Sequence, residues 1–158
     1  MRSIAALVPV ALFIAGVSCH ADEKAEAPKH MTKSKHSNGL AIDWDDANWT
    51  SRNTESGFSF SLKDAGNRRT PPALSVDWFP VPKPEGEFPV TRQNGSRKAF
   101  SRTDKSEGGS GGDQYTLTIW TPCSTKGHIV VKASDQSEAS APDFAYAWDL
   151  LWSARCPE

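Results

Sequence analysis

The sequence predicts an α+β fold: an antiparallel sheet of about five strands, a C-terminal helix packed on one face, and one disulfide. Three observations carry this expectation. Apolar and polar residues alternate with period two at Gly57–Leu62, at Ala73–Phe79 and at 115–120, the pattern of half-buried strands. Near the C-terminus Phe144, Trp148, Leu151 and Trp152 fall at i, i+4, i+7 and i+8, the apolar stripe of a helix. Cys123 and Cys156 stand after a strand and after that helix.

The chain of 158 residues holds one domain's worth of sequence. Its first residues, MRSIAALVPVALFIAGVSCHA, combine an early Arg2 with an uncharged apolar run at 4–17. That run is too short to span a bilayer as a helix, so residues 1–21 are expected to be a cleaved signal peptide. Two cleavage readings stand. The run Ala15-Gly16-Val17-Ser18-Cys19 is similar to a lipobox, which would make Cys19 a lipidation site, although Gly16 stands where Leu is usual. The other reading is ordinary cleavage after Ala21. Either way Cys123 and Cys156 remain as an even pair, which an exported protein is expected to join. Closing a loop of about 34 residues would contribute roughly 3–4 kcal/mol in the chain-entropy picture.

Residues 22–38 carry charges, one Pro and no aromatic, the composition of a flexible tether. A single globular domain is then expected over 39–158. Within it, 40–44 reads as a short strand, followed by the acidic group Asp43, Asp45 and Asp46 around Trp44, with Trp49 next. In the strand Gly57–Leu62, Phe58, Phe60 and Leu62 should face inward; 63–72 is a turn. Leu74, Val76 and Trp78 share a face of the strand Ala73–Phe79. Pro80, Pro82, Pro84 and Pro89 then make an extended connection that cannot donate to a central ladder.

A shorter strand is expected at 96–102, around Phe100. Residues 103–114, with four Gly and no apolar residue, read as a mobile hairpin loop. The strand at 115–120 places Tyr115, Leu117 and Ile119 on one face and Trp120 on the other, and Pro122 ends it. The run Ile129-Val130-Val131 suits a central strand at 128–133. Ser140 is the expected helix N-cap, with Pro142 in the first turn and Asp143 closing a capping box. Burying the helix's large side chains against the sheet contributes about 1.5–3 kcal/mol each.

Chemistry is harder to find. No cofactor motif is present, and the histidines show no metal-ligand spacing. The group Asp43, Asp45, Asp46 lacks the Gly and terminal Glu of a calcium loop. No nucleophile elbow occurs, His128 has no identifiable acidic partner, and the glycines at 108–112 are not followed by the Lys-Ser/Thr of a phosphate loop. With a formal net charge of −1 at pH 7, electrostatics gives no argument for nucleic acid. A non-catalytic protein is expected, whose function lies on its loops and acidic edge.

The Gly-Phe-Ser-Phe-Ser-Leu strand, the late pair of strands and the run Ser140-Ala141-Pro142-Asp143-Phe144 leading into a final helix resemble the Mog1/PsbP-like α/β arrangement. They also resemble small periplasmic immunity proteins of interbacterial toxin systems. The resemblance implies a periplasmic binding protein, an immunity protein or inhibitor, that blocks a cell-envelope toxin or hydrolase. A protein partner is expected, and a membrane only through an anchor at Cys19 in the outer membrane; otherwise the protein is secreted or freely soluble in the periplasm. The expected partner-binding residues are Asp43, Trp44, Asp45, Asp46 and Trp49 on the acidic edge, Gly108, Ser110 and Asp113 on the loop, and Trp120. The alternative is a cell-wall or carbohydrate-binding module that stacks sugars on exposed Trp44, Trp49 or Trp120.

Overall fold

A computed structural model describes residues 30–66, 70–81, 83–108, 112–124 and 126–158. The signal peptide, Cys19 and Ser110 therefore lie outside the described residues, as does the first part of the expected tether. Strands β1 (Met31–Lys35) and β2 (Ala41–Asp45) form an antiparallel hairpin of their own. The main sheet has seven strands: β3 (Trp49–Asn53), β4 (Gly57–Leu62), β5 (Ala73–Phe79), β6 (Val90–Asn94), β7 (Arg97–Ser106), β8 (Asp113–Pro122) and β9 (His128–Ser137). They run in the order β3-β4-β5-β9-β8-β7-β6, every pair antiparallel. The helix α1 (Ala145–Ser153) packs between β2 and the central strands β5, β9 and β8.

The alternation read from sequence becomes rows of buried side chains. Phe58 pairs with Val76, Val76 with Val131, Val131 with Ile119 and Ile119 with Ser101, a row across five strands in which every residue is buried. A second row runs Phe60, Leu74, Ala133, Leu117. Because side chains alternate across a strand, both rows lie on the face that α1 covers, where Ala147, Trp148, Leu150 and Leu151 of the helix are also buried.

The expected five-stranded α+β architecture is corrected by this topology. The molecule is mostly β, with nine strands in two sheets and one short helix among the described residues. The additional strands are β1, β3 and β6, whose sequences MTKSK, WTSRN and VTRQN lack period-two apolar alternation. The strands β3 and β6 are the sheet's edges; in β6 every residue is exposed, and in β3 only Trp49 is buried. Burial does not shape the composition of such edges, so they leave no periodic signal. Strand β1 falls inside the stretch expected to be a tether. It pairs with β2, and Leu40 and Ile42 beside it are fully buried.

Two more expectations change. β7 and β8 run well into residues 103–114, so the expected long loop shrinks to a hairpin tip. The helix begins not at Ser140 but after Phe144, which has φ 52° and ψ 32° and provides no side-chain cap. Its carbonyl accepts from the backbone N–H of Ala147 (2.9 Å) and Trp148 (3.3 Å). Cys123, at the end of β8, and Cys156, beyond α1, are joined in a disulfide.

Candidate functional site

The N-terminal hairpin stands off the main sheet, and the gap between them is a cavity of about 640 Å³. That lies within the roughly 300–1,000 Å³ range of ligand pockets. Trp44 of β2 forms one wall, its indole N–H donating to Ser34 Oγ of β1 at 2.9 Å and its ring tilted 5.5 Å from Phe60 of β4. Trp49 and Leu62 close the side of β3 and β4, and Tyr146 comes from α1, its ring 5.3 Å from Trp49. Among the described residues three carboxylates reach this cavity, from Asp43, Asp45 and Asp149, and no Lys, Arg or His lines it.

The acidic edge is thus real, but most of its oxygens have structural work. Asp43 pairs with Arg155 through both carboxylate oxygens, at 2.9 and 3.2 Å. Hydrogen bonding to that guanidinium holds the Asp43 carboxyl below the usual carboxylate range, against a smaller opposing effect of burial. Asp45 caps its own turn, accepting from the Ala47 backbone N–H (3.0 Å) and the Asn48 side chain (2.7 Å). Asp46 bonds Thr32 Oγ1 at 2.6 Å and also His30, and these contacts likewise lower its pKa.

The three tryptophans whose exposure the sequence leaves open, Trp44, Trp49 and Trp120, have three different fates. Trp49 is only 7% exposed and belongs to the core as well as to the cavity wall. Trp44 is half-buried. Trp120 lies on the opposite face of the sheet, half-buried and stacked on Phe100 at 4.7 Å, with Phe88 and His128 edge-on at 6.2 and 5.9 Å. A shared flat platform for sugar rings is therefore not formed by these residues.

At the β7–β8 tip, Asp113 forms an ion pair with Lys105 at 2.6 Å. The carbonyl of Gly108 accepts from Gln136 Nε2 at 3.1 Å, and a Cβ on Gly108 would meet the Gly112 carbonyl oxygen at 2.1 Å. Strands β7 and β8 come together here too closely for any larger residue at 108. The hairpin tip and the cavity are separate features, so the expected partner-binding residues do not converge on one site. What sequence reading missed is Phe60, Leu62, Tyr146 and Asp149, which complete the cavity. Tyr146 and Asp149 flank the helical stripe at Phe144 and Trp148, a position that could have marked them. Among the described residues no cluster of three or more His, Cys, Asp or Glu is placed to hold a metal ion.

A mostly-β domain with an aromatic cavity that Asp43, Asp45 and Asp149 reach has the surface features of a protein that binds. Residues 46–155 match the family described as "Type six secretion immunity 3 domain". The chain is also 34% identical over 149 residues to the "Immune protein Tsi3" of Pseudomonas aeruginosa, an alignment that spans 92% of this chain and 97% of that protein. The chain belongs to the type six secretion immunity 3 family, as the resemblance to immunity proteins of toxin systems implied. Membership places it among non-catalytic inhibitors rather than enzymes.

Proposed function

We propose that this protein is a periplasmic immunity protein that binds a type VI secretion toxin and blocks its action on the cell envelope. Family membership over residues 46–155 is the observation that carries the reading. The N-terminal residues support its location, because an apolar run behind Arg2 is what export requires. Cys19 is the proposed lipid anchor, and in that reading the protein is held at the outer membrane.

Binding needs no chemistry from this chain, only surfaces that fit. The cavity mouth at Trp44 and Asp45 and the β7–β8 tip at Gly108 to Asp113 are the surfaces offered to the toxin. The test is protection: a toxin encoded beside this chain, directed to the periplasm, is expressed with and without it. Survival should require the chain with residues 1–21 intact, and equal killing in both cultures refutes the reading. Equal protection by a version lacking residues 1–21 refutes the location.

A further inference from the structure

We propose that the disulfide between Cys123 and Cys156 is a site of thiol–disulfide exchange, open to a small thiol in the folded protein, and that its redox state sets how firmly the N-terminal hairpin is held. The consequence for toxin binding rests on the immunity reading; the chemistry at the disulfide does not.

Two independent observations carry this. The first is access. Cys156 lines an open cleft of about 510 Å³ together with Lys35, His36, Asn38, Arg155 and Pro157, and both cysteines are half-buried rather than enclosed. A disulfide within reach of solvent is the labile kind, because exchange needs a thiolate to reach one of its sulfurs. The second is position. Arg155, just before Cys156, forms an antiparallel bridge with Ala41 of β2. Pro157, just after it, packs on Gly39 so closely that a Cβ there would stand 2.9 Å from the proline's own. Cys156 thus sits inside the short stretch that borders the hairpin, and its bond to Cys123 ties that stretch to the end of β8. The hairpin's turn is held separately, by His36 to the Thr54 carbonyl and Asn38 to the Ser56 carbonyl, both at 2.9 Å. Opening the disulfide therefore loosens the Arg155 side of the hairpin and leaves its turn in place.

The exchange runs in two steps. A thiolate attacks Cys156 Sγ, the sulfur–sulfur bond breaks, and Cys123 leaves as thiolate with the electron pair. A second thiolate attacks the added sulfur of the mixed disulfide and releases Cys156. The protein disulfide is reduced to two thiols, two molecules of the reductant thiol are oxidised to their disulfide, and the reductant's two protons pass to the cysteines. Reducing compartments keep such a pair open and oxidising ones close it. A chain exported as proposed above takes up its firmly held hairpin, with Trp44 and Asp45, only after export.

The experiment reads the site without the toxin first. Oxidised protein is mixed with increasing glutathione, and free thiols are trapped by alkylation and counted by mass spectrometry. The rate should rise in proportion to glutathione under native conditions; a rate that levels off at that of global unfolding overturns the inference. NMR then compares the oxidised and reduced protein. The cross-strand Overhauser effect between the Ala41 and Arg155 amides, which bond each other's carbonyls, should fall by about half or more on reduction, while those between Ile119 and Val131 stay. An unchanged Ala41–Arg155 signal, or loss of both sets, overturns the switch and leaves a plain staple. Toxin affinity should be about tenfold lower for the reduced protein and for Cys123→Ser combined with Cys156→Ser, and glutathione should not change that of the variant. Equal affinities, with the oxidised protein protecting, sink the inference and leave the immunity reading intact. An oxidised protein that neither binds nor protects removes the immunity reading, while the exchange site stands on the first two measurements.

Discussion

Asp43 and Arg155 meet across 112 positions of sequence, with nitrogen–oxygen distances of 2.9 and 3.2 Å. Beneath them the backbones also join: Arg155 N–H donates to the Ala41 carbonyl at 2.7 Å and Ala41 N–H to the Arg155 carbonyl at 3.2 Å. Ser153 Oγ adds a bond to the Asp43 carbonyl at 2.6 Å. The N-terminal hairpin is therefore fastened to the segment just beyond α1, and this closure holds open the cavity between hairpin and sheet.

Asp43→Asn should lower stability by about 1 kcal/mol, because one geometry serves two charge-assisted bonds on a partly exposed pair. Hydrogen exchange should rise first at 41–45. The pH dependence follows from the lowered pKa of Asp43. A carboxyl with a depressed folded-state pKa contributes stability that is present above its unfolded value, about 4, and is lost as pH falls through the folded one. Thermal midpoints measured at pH 6 and pH 3 should therefore fall further for the unsubstituted protein than for Asp43→Asn. A residual acid sensitivity is expected from Asp46, whose pKa is lowered by Thr32 and then His30.

The disulfide fastens the same segment from the other side, since Cys156 directly follows Arg155 and reaches Cys123 at the end of β8. Replacing both cysteines by serine should cost about 3–4 kcal/mol in chemical denaturation. Combining that change with Asp43→Asn should give a loss different from the sum of the two, because residues that hold one segment are coupled. Additivity within about 0.3 kcal/mol would show that the two fastenings act independently.

How much of this was legible follows from where burial is one-sided. Strands β4, β5 and β8 could be read because each places one face in the core, and the disulfide followed from counting cysteines. The strands β3 and β6 could not: past Trp49, the sequences TSRN and VTRQN are exposed on both faces. Strand β1 is polar, and what orders it is its pairing with β2, a relation between segments that no local pattern records. The cavity was half legible. Trp44 and Asp45 stood out as an aromatic among acids, but Phe60 and Leu62 read as core because wall and core residues share one composition. Only the meeting of the hairpin, β4 and α1 separates them.

Trp120 should behave as a structural residue. Its stacking on Phe100, with rings 21° from parallel, and the edge contact from Phe88 build a second, smaller aromatic cluster on the face away from α1. Trp120→Ala should cost about 2–3 kcal/mol in denaturant unfolding, less than the roughly 3–5 kcal/mol for truncating a fully buried large aromatic because it is only half-buried. A double-mutant cycle with Phe100→Leu should return a coupling of about 0.5–1.5 kcal/mol. Negligible loss on truncation would reopen Trp120 as a binding residue.

The start of α1 gives the sharpest test of local physics. The sequence pointed to Ser140 as N-cap, and such a cap is worth about 1 kcal/mol. In the structure Ser140 is exposed and lies outside the helix, so Ser140→Ala should change stability by less than about 0.5 kcal/mol. The helix instead begins at Phe144, buried to 2% exposure in a left-handed conformation that an L side chain adopts at a cost of roughly 1–2 kcal/mol. Burial of the ring offsets that cost. Truncating the side chain removes the burial, a loss of about 3–5 kcal/mol, but leaves the backbone where it is. Alanine at 144 would keep the strain, whereas glycine reaches positive φ without it. Phe144→Gly should therefore be less destabilising than Phe144→Ala by about 1 kcal/mol, the reverse of their order inside a helix. Equilibrium unfolding of the two variants decides it: if the alanine variant is the more stable, Phe144 is an ordinary helical residue and Ser140 regains its claim as the cap.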